Sequence, residues 1–244
     1  MYNTLALAAA LWPATATQYC PPQENTIIIG VAVNPKNKFL YCEYFSNPDK
    51  HKIHVDYIRN GDTFATKELD YSINPTIPIV KQIDNRTGER RESVFDDKNI
   101  ELIYQENNDK KIQTISLAVK DIDVVDAGFD QFVKSNWNEL TSGKTLSIAF
   151  ASMVHQKSLP LRVSSIPPEQ CKAKKDTMPA SHCFSVDIDN TFLRILLSNI
   201  KISYDQQHRL LQFDGVVNLQ DDAGKSQSAV INYFYKDDYL SDKK

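Results

Sequence analysis

The stretch that decides the fold is His51–Tyr71, His-Lys-Ile-His-Val-Asp-Tyr-Ile-Arg-Asn-Gly-Asp-Thr-Phe-Ala-Thr-Lys-Glu-Leu-Asp-Tyr. β-Branched and aromatic residues are interleaved with polar ones on both sides of Asn60-Gly61. That dipeptide is the strongest short-range hairpin signal, because a type I′ turn needs positive φ at both central positions. Folding about it sets Arg59 opposite Asp62 and Tyr57 opposite Phe64, an opposite-charge pair and an aromatic pair of the kind that stabilises a ladder.

Working outward, the same logic recurs. Short β-branched and aromatic runs from Ile27 onward are punctuated by Asp84-Asn85-Arg86-Thr87-Gly88 and by Glu106-Asn107-Asn108-Asp109. Near the other end, Asp205-Gln206-Gln207-His208 links Ile200–Tyr204 to Arg209–Asn218, and Asp221-Asp222-Ala223-Gly224 leads into Ser226–Tyr235. Parallel strands need crossover connections, usually helical, and few helical patterns are present, so the sheet is expected to be antiparallel. One segment reads differently. Phe129, Phe132, Val133, Trp137 and Leu140 fall on one helical face, Asp126 stands as an N-cap and Gly143 as a stop. The expectation is a mainly β (α+β) fold, a curved antiparallel sheet or half-open barrel wrapped around one amphipathic helix near 126–141. With no repeat or low-complexity linker, residues 17–244 read as a single domain, with 171–182 as its most loop-like part and 237–244 as a frayed tail.

Composition bounds what such a fold does. The 244 residues carry 28 Lys+Arg against 31 Asp+Glu, a net charge of -3, with 41% apolar residues. That balance suits a chain with a sizeable core, not a disordered or fibrous one, and no basic excess points to nucleic acid. Leu5–Trp12 is a short apolar run followed by Ala14-Thr15-Ala16, the small-x-small pattern of a signal peptidase site, although Met1–Thr4 lacks the usual basic residue. Residues 1–16 are therefore expected to be a signal peptide, and the product periplasmic or secreted, with no membrane-spanning segment after the cut. Thr17-Gln18-Tyr19 before Cys20 does not fit a lipoprotein box. Four cysteines, Cys20, Cys42, Cys171 and Cys183, in an oxidising compartment read as two disulfides. The short polar stretch between Cys171 and Cys183 favours pairing them, which leaves Cys20 with Cys42. A zinc site from Cys171, His182 and Cys183 lacks the close ligand pairs that zinc uses, so no metal is expected.

Familiar catalytic patterns fail on inspection. Gly143-Lys144-Thr145 echoes a phosphate loop, but Asn138 stands where its first glycine belongs. Asp121, Asp123, Asp126 and Asp130 suggest a calcium loop until alignment puts Val125, Asp126 and Phe132 at its fifth, glycine and closing positions. No Gly-x-Ser-x-Gly, His-Glu-x-x-His or Gly-x-Gly-x-x-Gly occurs. His51 and His54 fall on opposite faces of an expected strand, and His155, His182 and His208 lie in or beside turns. His182-Cys183 is a poor catalytic pair if the cysteine is oxidised. Arg90-Arg91 reads as a charged hairpin tip, either an anion contact or a solvated edge.

Leu40–Tyr44, Lys67–Tyr71, Asp126–Phe132, and the set Tyr204, Arg209-Leu210-Leu211, Gly215 and Asn218 resemble an uncharacterised family of exported Gram-negative bacterial proteins. The resemblance covers most of the mature chain and carries no activity. The overall plan is similar to the half-open barrels of periplasmic lipoprotein carriers, a fold-level analogy. The expected function is therefore a non-enzymatic exported protein with no cofactor. It would bind an apolar or lipid-like small molecule between sheet and helix, with Phe129, Phe132, Val133 and Trp137 as its lining. The alternative is a structural or interaction component of the cell envelope, its core filled by those aromatics and its partner another envelope protein.

Overall fold

The computed structural model describes residues 12–171, 181–188 and 200–236. The first eleven residues of the expected signal peptide, most of the expected 171–182 loop and the expected tail 237–244 lie outside them. Among the described residues fifteen strands form one sheet. The first eight are β1 (Ile28–Val33), β2 (Phe39–Asp49), β3 (Lys52–Arg59), β4 (Asp62–Asp70), β5 (Ile79–Asp84), β6 (Glu89–Asp96), β7 (Asn99–Gln105) and β8 (Gln113–Ala118). The others are β9 (Val124–Val125), β10 (Leu146–Ser152), β11 (Lys157–Ile166), β12 (His182–Ile188), β13 (Ile200–Tyr204), β14 (Leu210–Gln220) and β15 (Ser226–Tyr235). Spatial order runs from β8 down to β1, then from β15 down to β9. Two antiparallel meanders are thus sewn together where β1 pairs with β15, and a two-residue parallel pairing of β9 with β10 closes the far edge.

Curvature follows from chain length. β8 and β9 are the two edges of the sheet, yet only Val119–Asp123 joins them, and so short a segment reaches no more than about 20 Å. The edges must therefore curl toward each other. One closing contact is the Val125 amide, which donates to the Thr76 carbonyl at 3.0 Å. Leu69, Val80, Ile100 and Leu102 of one half pack against Val125, Ala151 and Met153 of the other.

The hairpin about Asn60-Gly61 forms as expected, with φ of 56° and 90° at its centre and Arg59 opposite Asp62. One pairing differs. A bulge after Tyr57 places that residue opposite Ala65 and leaves Phe64 as the extra residue. The rings still meet, because the bulge turns Phe64 inward to 5.8 Å from Tyr41 and 6.5 Å from Tyr57. His51 sits in the turn before β3 and not on the strand. The four other predicted turns all connect the strands expected of them.

The expected single helix is two. After a one-turn helix α1 (Ala14–Thr17), α2 runs Gly128–Ser135 and α3 runs Trp137–Thr141. Asn136 separates them with φ -108° and ψ 20°, its side-chain amide donating to the Phe132 carbonyl at 2.8 Å. An asparagine that satisfies its own preceding turn ends a helix instead of continuing it. Asp126 is not the N-cap either. It adopts a positive φ of 44°, Ala127 occupies the cap position, and the Asp126 carboxylate is used elsewhere.

Both disulfides form as expected, Cys20–Cys42 and Cys171–Cys183. Closing loops of 22 and 12 residues, each is worth about 3 kcal/mol in the chain-entropy account. Two such bridges place the protein in an oxidising, non-cytoplasmic setting. Cys20–Cys42 pins the segment before β1 onto the outer face of the sheet, where Trp12, Ala16, Ile29, Val31, Tyr44 and Phe234 form one cluster. Trp12 and Ala16 lie on the N-terminal side of the cut expected after Ala16. Among the described residues no helix is long and apolar enough to cross a membrane.

Gly128 tests how tightly α2 is seated. A β-carbon there would lie 2.1 Å from the Thr76 carbonyl oxygen, a backbone atom that also holds β9. Gly128→Ala is expected to destabilise the fold by about 1–3 kcal/mol despite alanine's better helix propensity. The measurement is the urea midpoint of the variant against wild type, and an increase would show that the helix is loosely docked.

Candidate functional site

The predicted stripe is assembled on one side of the interior. Phe129, Phe132, Val133 and Trp137 lie on α2 and α3 and face β10–β13. Val133 and Trp137 are buried, and Phe129 and Phe132 are half-buried with ring centroids 6.3 Å apart. Trp137 is enclosed by rings. His208 stacks on it at 3.8 Å, while His182, Phe184 and Tyr204 present edges at 4.9, 5.5 and 5.5 Å. Sequence reasoning placed both histidines beside turns and missed their partner, because nothing in the local sequence links positions 137, 182 and 208. Burial and the neighbouring His208 hold the His182 pKa below the ordinary value.

The second feature was not foreseen. Alternation along β4–β6 points Lys67, Gln82, Glu89 and Arg91 to the same side as the core residues Ala65, Leu69 and Val80, so the inner face carries charge where apolar side chains are the rule. Gln82 and Glu89 are each 1% exposed, Lys67 5% and Arg91 9%. Opposite them stands Asp126, which immediately follows β9. Its carboxylate accepts from Lys67 Nζ at 2.8 Å, from Asn218 Nδ2 at 2.7 Å and from the Ala127 amide at 2.7 Å. Three donors thus hold Asp126 in its left-handed conformation, the kind of strain a fold keeps only where its surroundings over-determine it. Asn218 extends the network, taking Gln82 Nε2 on its carbonyl at 3.0 Å and Arg91 Nη1 on its side-chain oxygen at 3.3 Å. Arg91 Nη2 reaches Glu89 Oε1 at 2.8 Å, and the Tyr104 hydroxyl donates to that same oxygen at 3.4 Å.

Three buried atoms of this wall have no hydrogen-bond partner: Gln82 Oε1, Glu89 Oε2 and Arg91 Nε. Gln82 and Arg91 both bond Asn218, and Arg91 bonds Glu89, so the three side chains belong to one connected hydrogen-bond network. Arg91, expected at a hairpin tip, is therefore an interior residue. Arg90, on the other face of β6, is paired with Glu92 at 2.6 Å. The expected charged tip is absent because the turn is Asn85–Gly88 and both arginines lie within the strand.

Glu43 on β2 completes the charged interior. Gly30 on the neighbouring strand makes room for it, since a β-carbon there would lie 2.9 Å from Glu43 Oε2. Burial pushes the Glu43 pKa up to about 7 against the pull of nearby Lys67 and a hydrogen bond with Tyr233. Burial likewise raises Glu89, with Arg91 opposing. Away from this wall, a hollow of about 510 Å³ bordered by Asn34, Lys38, Arg59 and Asp222 opens on the outer surface. Its Arg59 is already held bidentately by Asp222 at 2.8 and 3.0 Å.

Among the described residues no three His, Cys, Asp or Glu side chains gather as a metal site requires. The chain matches no protein-family model and no curated protein. Chemically, the interior offers a hydrogen-bonding wall of two ion pairs and three spare polar atoms, set across from an aromatic helix pair.

Glu43 gives the wall a measurable pH signature. The unfolded chain releases this proton near the ordinary value of 4.5 and the folded chain near 7. Its stabilising contribution is thus fully present below about pH 4.5 and lost as pH rises through about 7, on the order of 3 kcal/mol over that window. Glu43→Gln is expected to flatten that part of the pH profile, read as the difference in urea midpoint between variant and wild type from pH 4.5 to 8. Parallel profiles would show that Glu43 ionises freely.

Proposed function

We propose that this chain is a non-enzymatic binding module of the periplasm or the secreted fraction, and that its ligand sits inside the curved sheet at the polar wall of Gln82, Glu89 and Arg91. The observation that carries this reading is the three unpartnered polar atoms, each more than nine-tenths buried. An orphaned buried polar atom costs about 1–3 kcal/mol, and an apolar residue of the same shape would avoid that cost. Departures from local stability rules gather where a fold serves binding. The charged groups of the wall are engaged in structural pairs, Lys67 with Asp126 and Arg91 with Glu89, which suits holding a molecule rather than transforming it. The disulfides and the export-like leader support a location outside the cytoplasm.

The lipid-like ligand expected at the helix stripe is left with the half-buried Phe129 and Phe132 to meet it. Enclosure of Trp137 by four rings favours a second reading, the structural or interaction component of the envelope with a filled core.

Two variants separate the readings. Gln82→Met keeps the side-chain length and removes the orphan acceptor together with the bond to the Asn218 carbonyl, two effects of opposite sign, so stability is expected to change by no more than about 1 kcal/mol while a small-molecule mass co-purifying from the periplasm, seen by native mass spectrometry, disappears. Trp137→Ala is expected to cost about 3–5 kcal/mol without changing that mass. A wild-type spectrum free of any bound small molecule counts against the binding module, and loss of the mass with Trp137→Ala at retained fold would move the seat to the helix.

A further inference from the structure

The ion pair between β4 and the residue after β9 has both the reactive groups and the setting of a covalent cross-link. We propose that Lys67 and Asp126 condense within the folded chain to a side-chain amide, an isopeptide bond, with Glu43 as the acid that exchanges protons during the reaction. The modification does not depend on any ligand at the polar wall.

The reacting groups already touch. Lys67 Nζ lies 2.8 Å from Asp126 Oδ1, and the two side chains are 7% and 3% exposed. A carboxyl C–O bond is about 1.2 Å long, so Nζ stands within about 4 Å of Asp126 Cγ. Both partners are held in place. Lys67 is paired into the sheet opposite Val55, and Asp126 is fixed at its positive φ by Asn218 Nδ2 on Oδ2 and the Ala127 amide on Oδ1, each at 2.7 Å. Fixing two reactants in contact turns a slow bimolecular condensation into an effectively unimolecular one.

Burial sets this pair apart. Among the described residues the other lysine–carboxylate contacts, Lys52 with Asp49 and Asp70, Lys134 with Asp130 and Lys144 with Glu139, have side chains 25% or more exposed. Water there competes with the amine and solvates the charges. Glu43 shares the buried setting at 5% exposed. Strand register places it opposite Tyr57 and Tyr57 opposite Ala65, with Lys67 two residues farther along the same face. Burial pushes the Glu43 pKa up to about 7, and Lys67 and Asp126 both act on it. Below that pH the side chain holds a proton that it can give and replace.

The condensation balances with water as its by-product. One proton passes from Nζ along the hydrogen bond to Oδ1, leaving an amine and a carboxylic acid, the uncharged forms that a low-dielectric interior tolerates best. The Nζ lone pair then attacks Cγ and forms the C–N bond, while the Cγ–Oδ2 π pair moves onto Oδ2. Asn218 Nδ2, already donating to Oδ2, stabilises that oxyanion. Glu43 delivers its proton to Oδ1 and takes a second one from Nζ. The Cγ–Oδ1 bond breaks with its electron pair on the departing oxygen, Oδ2 returns its pair to Cγ, and water leaves. Nothing is oxidised or reduced, and Glu43 ends as it began.

The product is a tie between positions 59 residues apart, across the closure of the sheet. A buried ion pair adds little over apolar packing, whereas an amide at this place fastens β4 to the segment that follows β9.

The test is the intact mass of the full mature protein with its disulfides reduced, after incubation at about pH 6.5, where Glu43 is largely protonated. The wild-type mass is expected to fall short of the sequence mass by one water, about 18 Da, and a tryptic digest is expected to contain a branched peptide joining Lys67 to Asp126. Lys67→Arg keeps a cation beside Asp126 but offers no amine, and Glu43→Gln keeps the shape without a carboxyl proton. Both variants are expected at full mass, with circular dichroism matching wild type, and are expected to migrate more slowly than wild type in reducing, denaturing electrophoresis. Wild-type protein at full mass overturns the proposal, as does a water loss that persists in Lys67→Arg. Undiminished water loss in Glu43→Gln overturns the part assigned to Glu43. The wild-type mass and the branched peptide decide the bond itself even where a variant fails to fold.

Discussion

The constraint on which the rest depends is the short connection Val119–Asp123 between the two edges of the sheet. Fifteen strands laid side by side at about 4.8 Å would spread across about 70 Å. Edges tied by five residues cannot stand so far apart, so the twist of the sheet accumulates into a curl that brings its halves face to face. Every interior contact between those halves follows. β9 arrives beside Thr76, and Asp126, the next residue, is delivered to Lys67 of β4 and Asn218 of β14. The helices that follow are then seated against β10–β13 with Gly128 in van der Waals contact with the Thr76 loop. The two disulfides add covalent ties to this arrangement, all four of their cysteines being buried.

Facing halves bury what each carries on its inner side. Over β10–β13 and the helices that is the ordinary apolar solution, an aromatic cluster in which Trp137 contacts four other rings. Over β4–β6 it is a wall of ions. Buried ion pairs gain little net stability over apolar packing of the same volume, so Lys67–Asp126 and Arg91–Glu89 are better understood as setting position than as holding the fold together. Asp126 shows this most directly, its positive φ maintained by three hydrogen bonds to its carboxylate. The molecule thus divides into a filled half that supplies stability and a polar half whose hydrogen-bonding capacity is not used up, and it is the second that supports a binding role.

Much of the fold was legible. Asn60-Gly61, Asp84–Gly88, Glu106–Asp109, Asp205–His208 and Asp221–Gly224 each announce a turn through residues that tolerate positive φ or cap their own backbone, and each turn forms. Less legible were the details that depend on neighbours. The bulge at Phe64 follows from Phe64 reaching Tyr41 and an Arg86 guanidinium 4.2 Å above its ring, contacts that no strand pattern contains. The break at Asn136 was open to a reading of side-chain capping, whereas Asp126 resembled an N-cap in every local respect and was diverted by partners 59 and 92 residues away. The polar wall escaped entirely, because Lys67, Gln82, Glu89 and Arg91 on alternating strands look like a solvated face until something covers it.

By itself, then, the sequence determined the turns, the mainly antiparallel class and the presence of a helical stretch after Asp126, and it favoured the disulfide pairing, all of which depend on short-range geometry and spacing. The tertiary structure alone decided which face of each strand is inside. An alternating strand has one polar and one apolar side, and hydrophobic burial normally assigns them. Here both sides of β4–β6 carry charged residues, and closure through Val119–Asp123 turned one charged side inward, where low dielectric and missing partners give Gln82, Glu89 and Arg91 a chemical significance that they lack on a surface.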